Sequence, residues 1–252
     1  MVGAYQETVR LLGERTAEMH LALASNHDNP AFAPETLSAL SQRAMYQSMR
    51  TLTVTTFQTL RKFARRQPKD IRREVQEIIE RQGEVLERFK IFKERRISTT
   101  ITRRHGDYHL GQVLYTGKDF VIIDFEGEPA RTLNERRRKH SPLTDVAGMI
   151  RSFSYAAHSA LMKHAAMRPS DTETLRPWMG VWESDMSAAF LRSYLETAGD
   201  APFIPEDREA LGILLEVFLL EKAVYELGYE INNRPGWVGI PLKGIRRILD
   251  AS

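Results

Sequence analysis

The sequence predicts a mainly α protein with a small β-hairpin, on three observations. Apolar residues recur at steps of three and four along most of the chain, the spacing of amphipathic helices. β-branched and aromatic runs on either side of a turn come together at residues 113–115 and 120–124, with Thr116-Gly117-Lys118-Asp119 between them. No repeat or low-complexity segment interrupts the pattern, so the 252 residues read as a single domain able to bury a sizeable core.

Taken in order, residues 5–24 place Val9, Leu12, Met19 and Leu23 on one helical line, with Thr16 among them. The polar stretch 25–30 ends that helix. Pro34 and Glu35 are expected to reopen one carrying Leu37, Leu40, Ala44, Met45, Met49 and Leu52, weakened but not stopped by the β-branched run 51–56, and continuing through Phe57, Leu60 and Phe63 to Pro68. Beyond Pro68, Ile71, Val75, Ile78, Gln82, Val85, Phe89 and Phe92 alternate steps of four and three, which predicts one long core-facing helix. Residues 97–101 read as an extended link. Residues 130–140 are basic and polar, a surface loop or short helix. Pro142, Thr144 and Asp145 mark the start of a helix with Met149, Ile150, Phe153, Ala157 and Leu161. After a loop at 168–171, Trp178, Trp182, Met186, Phe190 and Tyr194 stand at steps of four and are expected in the core. A break at 199–202 precedes a long apolar helix through Leu211, Leu215, Phe218, Leu219, Ala223 and Leu227. A turn at 232–237 and a short helix near 242–249 close the chain.

Composition narrows the function classes. Absence of cysteine excludes disulfides, thiolate metal sites and a cysteine nucleophile, and points to a reducing, cytoplasmic compartment. No apolar run approaches membrane-spanning length, and the first residues lack the charged-then-apolar order of a signal peptide, so neither membrane anchoring nor secretion is expected. The net charge is +3. Its basic clusters, Arg61-Lys62 with Arg65-Arg66, Lys93 with Arg95-Arg96, and Arg136-Arg137-Arg138-Lys139, could touch phosphates. Acidic residues interrupt most of these runs, which read as solvated faces rather than a nucleic-acid surface.

The densest polar cluster is His105-Gly106-Asp107-Tyr108-His109-Leu110-Gly111-Gln112, running into the hairpin. The hairpin would place Asp107 just before its first strand and Asp124 at the end of its second. Two carboxylates and the amide of Gln112 suit an Mg2+-nucleotide site, one carboxylate accepting a proton while the other and the amide hold the metal. Plainer readings stand beside this one. Asp107 in a Gly-Asp pair could be a turn residue, Asp124 could cap the strand, and Gln112 could hydrogen-bond the loop. His109 would pack or bond within the loop, and Glu126 and Glu128 would approach the metal or face solvent.

The run from His105 to Leu114, followed by a strand ending in Ile123-Asp124-Phe125-Glu126, resembles the catalytic loop and metal-binding segment of aminoglycoside-phosphotransferase-like kinases. Within that superfamily, residues 124–129, residues 145–153, Leu12-Gly13-Glu14-Arg15-Thr16-Ala17-Glu18-Met19-His20, Lys222-Ala223-Val224-Tyr225-Glu226 and Asn233-Arg234-Pro235-x-Trp237 are similar to the maltokinases. These are ATP-dependent enzymes that make maltose 1-phosphate in trehalose and glycogen metabolism, some of them fused to trehalose synthase. The resemblance implies the C-terminal lobe of a protein-kinase-like fold spanning 1–252, with a helical part at 1–97, the catalytic loop and metal-binding hairpin at 98–129, and a second helical part at 130–252. It further implies ATP and maltose as substrates and Mg2+ as cofactor. Asp107 would be the catalytic base, and Gln112 and Asp124 the metal ligands. Asp145 would support the catalytic loop. His105, Lys222, Tyr225, Asn233 and Trp237 would belong to the sugar site, although Tyr225 and Trp237 could equally be core aromatics.

Nothing ahead of His105 reads as the strands, Gly-rich loop and lysine of a nucleotide-binding lobe. The expectation is therefore a C-terminal lobe without its N-terminal partner, inactive alone, either a fragment or a piece of a longer polypeptide such as a trehalose synthase and maltokinase fusion. Two rivals remain open: a non-catalytic sugar-binding or docking module, and a metal-dependent hydrolase using His105, Asp107 and His109 at alternate positions.

Overall fold

The helices follow the apolar periodicity. The computed structural model describes residues 2–129 and 131–251. In chain order its elements are α1 (Val2–Ala24), β1 (Glu35–Thr36), α2 (Ala39–Ala64), α3 (Lys69–Glu80), α4 (Gln82–Glu94), β2 (Thr100–Ile101), β3 (Val113–Tyr115), β4 (Phe120–Ile122), α5 (Leu133–Arg137), α6 (Leu143–Met167), α7 (Thr172–Ala198), α8 (Arg208–Asn233) and α9 (Gly239–Asp250). The predicted class, mainly helical with a hairpin, is the one observed. Contacts divide the chain into two units, each assembled from separated segments.

The first unit comprises the chain up to Thr36 and Thr99–Glu206. In it α1 lies along α7, and α6 packs on α7. Leu12, Ala17, Val146, Met149, Phe153, Phe190 and Tyr194 are buried. The rings of Phe153 and Phe190 meet edge to face at 5.8 Å. Gly13 permits the close approach of the two helices, because a Cβ there would lie 2.4 Å from the Phe190 carbonyl oxygen. β1 and β2 pair antiparallel, Glu35 opposite Ile101, and β3 and β4 form the predicted hairpin with Leu114 opposite Val121. Its turn is closed by the Thr116 amide donating to the Asp119 carbonyl at 2.8 Å, and Gly117 supplies a φ of 93°.

The second unit comprises Leu37–Ser98 and the chain from Asp207 onward. α2 packs on α3, α4 and α8, and α9 closes against α3 and α8. Phe57, Leu60, Val75, Ile78, Phe89, Phe92, Leu214, Leu220 and Ile245 are fully buried or nearly so. The β-branched run 51–56 stays helical, with the Thr53 hydroxyl donating back to the Met49 carbonyl at 2.8 Å. That bond satisfies a buried hydroxyl inside the helix.

Three local expectations are corrected. The helix expected from Pro34 begins at Ala39, capped by the Ser38 hydroxyl accepting from the Ser41 amide, because Glu35 and Thr36 are used as a strand. The long helix of residues 71–92 is two helices, broken at Arg81 (φ −85°, ψ 9°). The side chain of Arg81 is held there by Glu84 and Asp250. Val75, Ile78, Val85, Phe89 and Phe92 are nevertheless all buried, so the apolar line continues across the break while Ile71 is exposed. Trp178 is 67% exposed, and the expected core stripe of its helix starts only at Met186, with Trp182 half-buried against Phe153 at 6.4 Å. The basic stretch after Pro129 forms the short α5, with a capping box between Thr132 and Glu135; Ala130 lies outside the described residues.

Replacing Gly13 by alanine is expected to cost about 1–3 kcal/mol, because the added methyl overlaps backbone that cannot yield cheaply. Gly212→Ala in α8, where nothing lies within 4 Å of the new Cβ, should instead stabilise by about 0.5–1 kcal/mol. Urea denaturation of the two variants beside the parent checks the opposite signs.

Candidate functional site

The loop preceding β3 is shaped by one carboxylate. Asp145, in the first turn of α6, has a side chain only 1% exposed. Its Oδ2 accepts the His105 amide at 2.7 Å, and its Oδ1 accepts the Gly106 amide at 3.0 Å. The His20 Nε2 lies 3.2 Å from Oδ2, and the Arg104 guanidinium 3.8 Å from Oδ1. Burial by itself raises the pKa of such a carboxyl. The hydrogen bond from His20, the charge of Arg104 and the Gly106 amide more than offset that burial, and the value falls to about 2. Gly106 adopts a φ of 89°, which lets consecutive amides face the same carboxylate.

His105 then connects the two halves of the site. Its Nε2–H donates to the Ile123 carbonyl at 2.8 Å, and its Nδ1 accepts the Asp107 amide at 3.3 Å. The ring is 1% exposed, with the Tyr108 and Phe125 rings at 5.2 and 5.0 Å. Both ring nitrogens are thus committed to backbone, one in the loop bearing Asp107 and one immediately before Asp124. This is a bracing role. Among the described residues no group of three or more His, Asp or Glu is placed to hold a metal, as the His-Asp-His trio of the hydrolase reading would require.

The two aspartates differ in setting. The Asp107 side chain is 17% exposed, with its Oδ2 3.9 Å from the His109 Nε2. Asp124 is exposed and, alone among the described non-glycine residues, has a positive φ, 64°. That conformation is costly for most side chains and tolerated best by Asn and Asp. Gln112 donates from Nε2 to the Asp124 Oδ2 at 3.0 Å, and the Ile123 amide donates to the Gln112 carbonyl at 3.0 Å. As placed, the amide turns its nitrogen and not its oxygen to the carboxylate; carboxylate and amide oxygens are the hard donors that Mg2+ takes, so the residue types fit the ion that the resemblance implies. Glu126 is exposed and Glu128 half-buried.

The remaining expected residues belong to the second unit. Lys222 and Tyr225 lie on α8, with the Lys222 ammonium 5.2 Å from the centre of the Tyr225 ring. The Asn233 Nδ2 donates to the Tyr229 carbonyl at 2.8 Å. Trp237 closes the short 3-10 turn after α8, half-buried, with the Arg234 guanidinium 5.0 Å from its ring. Arg234 is in turn paired with the buried Glu230 at 2.6 Å, so one face of the indole is already covered by a cation.

Several positioning contacts were not foreseen from the sequence. The Tyr108 hydroxyl, buried beside Thr16 at 2.8 Å, donates to the Thr16 oxygen, since the Thr16 hydroxyl itself donates to the Leu12 carbonyl at 2.7 Å. Burial pushes the Tyr108 hydroxyl well above its usual range, so it stays protonated. The Ser152 hydroxyl accepts the Leu110 amide at 2.9 Å. Gly148 lets α6 touch the loop, a Cβ there falling 2.6 Å from the Tyr108 carbonyl. The only hint in the sequence was a threonine and a histidine one turn apart on an apolar helical line.

No family profile matches the chain. It is 26% identical over 139 residues to a glucosamine kinase of Streptacidiphilus jiangxiensis, covering 54% of this chain and 29% of that protein. It is also 26% identical over 150 residues to a glucosamine kinase of Mycolicibacterium smegmatis, covering 58% of this chain and 34% of that one. A solved glucosamine kinase in complex with glucosamine, ADP and inorganic phosphate superposes with a TM-score of 0.79 at 19% identity, over 100% of this chain and 56% of that one. A second glucosamine kinase structure gives 0.78 at 21%, over 100% and 54%. The fold is therefore that of part of a glucosamine kinase, and the chain spans about half the length of those solved chains.

Since the folded pKa of Asp145 lies below its ordinary 3.8, its stabilising contribution is present above that value and is lost as pH falls towards about 2. The shift corresponds to about 2 kcal/mol. Asp145→Asn should lose stability at neutral pH and show a correspondingly flatter stability profile between pH 4 and 2, as read by urea midpoints across that window.

Proposed function

We propose that the chain is the acceptor- and metal-holding part of an ATP-dependent sugar kinase, the C-terminal lobe of a kinase-like fold. The observation that supports this best is His105, which bonds the backbone of the Asp107 loop and the carbonyl before Asp124 with one ring. That leaves two carboxylates on adjacent segments with separate tasks. Asp107 accepts the proton of the attacking sugar hydroxyl as its oxygen bonds to the γ-phosphorus of ATP; ADP departs and a sugar phosphate forms. Asp124 and Gln112 would hold Mg2+, whose charge would offset that of the phosphates. Asp145 keeps the loop in place and takes no proton. Lys222, Tyr225, Asn233 and Trp237 are assigned to the sugar side. In this reading both units belong to one lobe, a nucleotide-binding lobe completes the enzyme, and the chain alone turns over little.

Two acceptors are in play. The motif resemblance favours maltose, giving maltose 1-phosphate, with a trehalose synthase as fused or associated partner and a cytoplasmic setting. The relatives favour glucosamine, because the named proteins that the chain matches are glucosamine kinases.

The test is 31P NMR of ATP and Mg2+ with maltose or with glucosamine, run on the full open reading frame that encodes the chain. A sugar phosphate should accumulate with one of them, and Asp107→Asn should slow its formation by about 100-fold or more. Phosphorylation of neither sugar, or turnover unchanged by Asp107→Asn, would sink the proposal. Asp124→Asn should raise the Mg2+ concentration needed for half-maximal rate while leaving thermal stability nearly unchanged.

A further inference from the structure

One helix reaches each piece of the candidate site. Arg15 of α1 donates from Nε to the Asp119 carboxylate, at 2.8 Å, in the hairpin turn between the strands that lead to Gln112 and Asp124. Thr16 receives the Tyr108 hydroxyl from the loop after Asp107. His20, one turn further on, meets Asp145. None of these residues has a chemical step to perform in phosphoryl transfer.

The contact at His20 is the most constrained of the three. Its side chain is 0% exposed. The Tyr194 hydroxyl lies 2.9 Å from Nδ1, and burial holds that hydroxyl protonated, well above its usual range. The ionised Asp145 carboxylate can only accept, so Nε2 carries the proton that points at Oδ2; in the tautomer bearing that single proton, Nδ1 accepts the Tyr194 hydroxyl. A carboxylate that holds amides of successive residues with different oxygens can do so only in one rotation of its plane. A third donor fixed on Oδ2 selects that rotation.

We propose that His20 is a positioning residue of the candidate catalytic loop, orienting the Asp145 carboxylate through Nε2–H so that it clamps the His105 and Gly106 amides, with Tyr194 donating to Nδ1. The Thr16 and Arg15 contacts extend the same brace from α1 to the loop's other side and to the hairpin. The brace bears on catalysis only through the kinase reading above, but its existence can be measured without substrate.

The experiment is amide hydrogen exchange by 15N NMR on this chain, comparing His105 and Gly106 with core amides of α7 in the same variant. His20→Leu should speed loop exchange about tenfold relative to α7, the equivalent of one well-placed hydrogen bond. His20→Gln, which offers an amide donor to Asp145 and an oxygen to Tyr194, should restore most of the protection. Tyr194→Phe keeps the buried ring and removes only the hydroxyl; it should give an intermediate acceleration, and it stands in should His20→Leu fail to fold. Loop amides no faster than α7 in the folded variants, or no rescue by glutamine, would overturn the proposal. In the full open reading frame the same order should appear in kcat with KM for the sugar little changed. Intact protection changes without any turnover would leave the brace standing and defeat the kinase reading instead.

Discussion

The buried carboxylate of Asp145 is the constraint on which the candidate site depends. A charged group removed from water is stable only if hydrogen bonds replace its hydration, and here the replacements are loop amides, an imidazole and a nearby guanidinium. The cost of burial thereby becomes an organising force. The loop cannot leave without exposing an unsatisfied charge in the interior, and α1 cannot shift without withdrawing His20. His105, positioned by its own amide on Asp145, then passes that order on to the Ile123 carbonyl at the hairpin's end.

How much of this could be read from the sequence follows from the range of each interaction. The hairpin was legible because its turn and alternating runs are local, and so was the placement of Asp107, Gln112 and Asp124 at its ends, which their spacing from the strands fixes. Helix faces were legible too, since periodicity reports burial. Continuity was not: the line from Val75 to Phe92 keeps its phase across the break at Arg81, so two helices read as one. Trp178 fits the step of four yet lies exposed, because the stripe says which side of a helix faces inward and not where the neighbouring helix ends. The brace was the least legible part. His20 and Asp145 are 125 positions apart, and His20 and Tyr194 are 174 apart. No local pattern encodes such pairs, and a polar residue inside an apolar line is the only trace they leave.

The basic residues show the same contrast between composition and use. Arg136 spends its guanidinium on the carbonyls of Arg131 and Pro129, and Lys139 donates to the Pro30 carbonyl and pairs with Glu35. Cations that look like a phosphate-binding run in sequence are here fastening irregular backbone, where carbonyls would otherwise lack partners.

The fit of Gly148 beneath the loop has a consequence for motion. With a Cβ position only 2.6 Å from the Tyr108 carbonyl, no gap separates helix from loop, and the segment bearing Asp107 can be displaced only together with the start of α6. The arm bearing Asp124 is built differently, from strands of three residues with exposed side chains at Leu114 and Val121. Such an arm has little packing to resist small excursions. The Asp107 loop is thus held along its length by packing, whereas the strands leading to Asp124 are tied at their two ends, by Arg15 on Asp119 and by His105 on the Ile123 carbonyl, with little side-chain packing between.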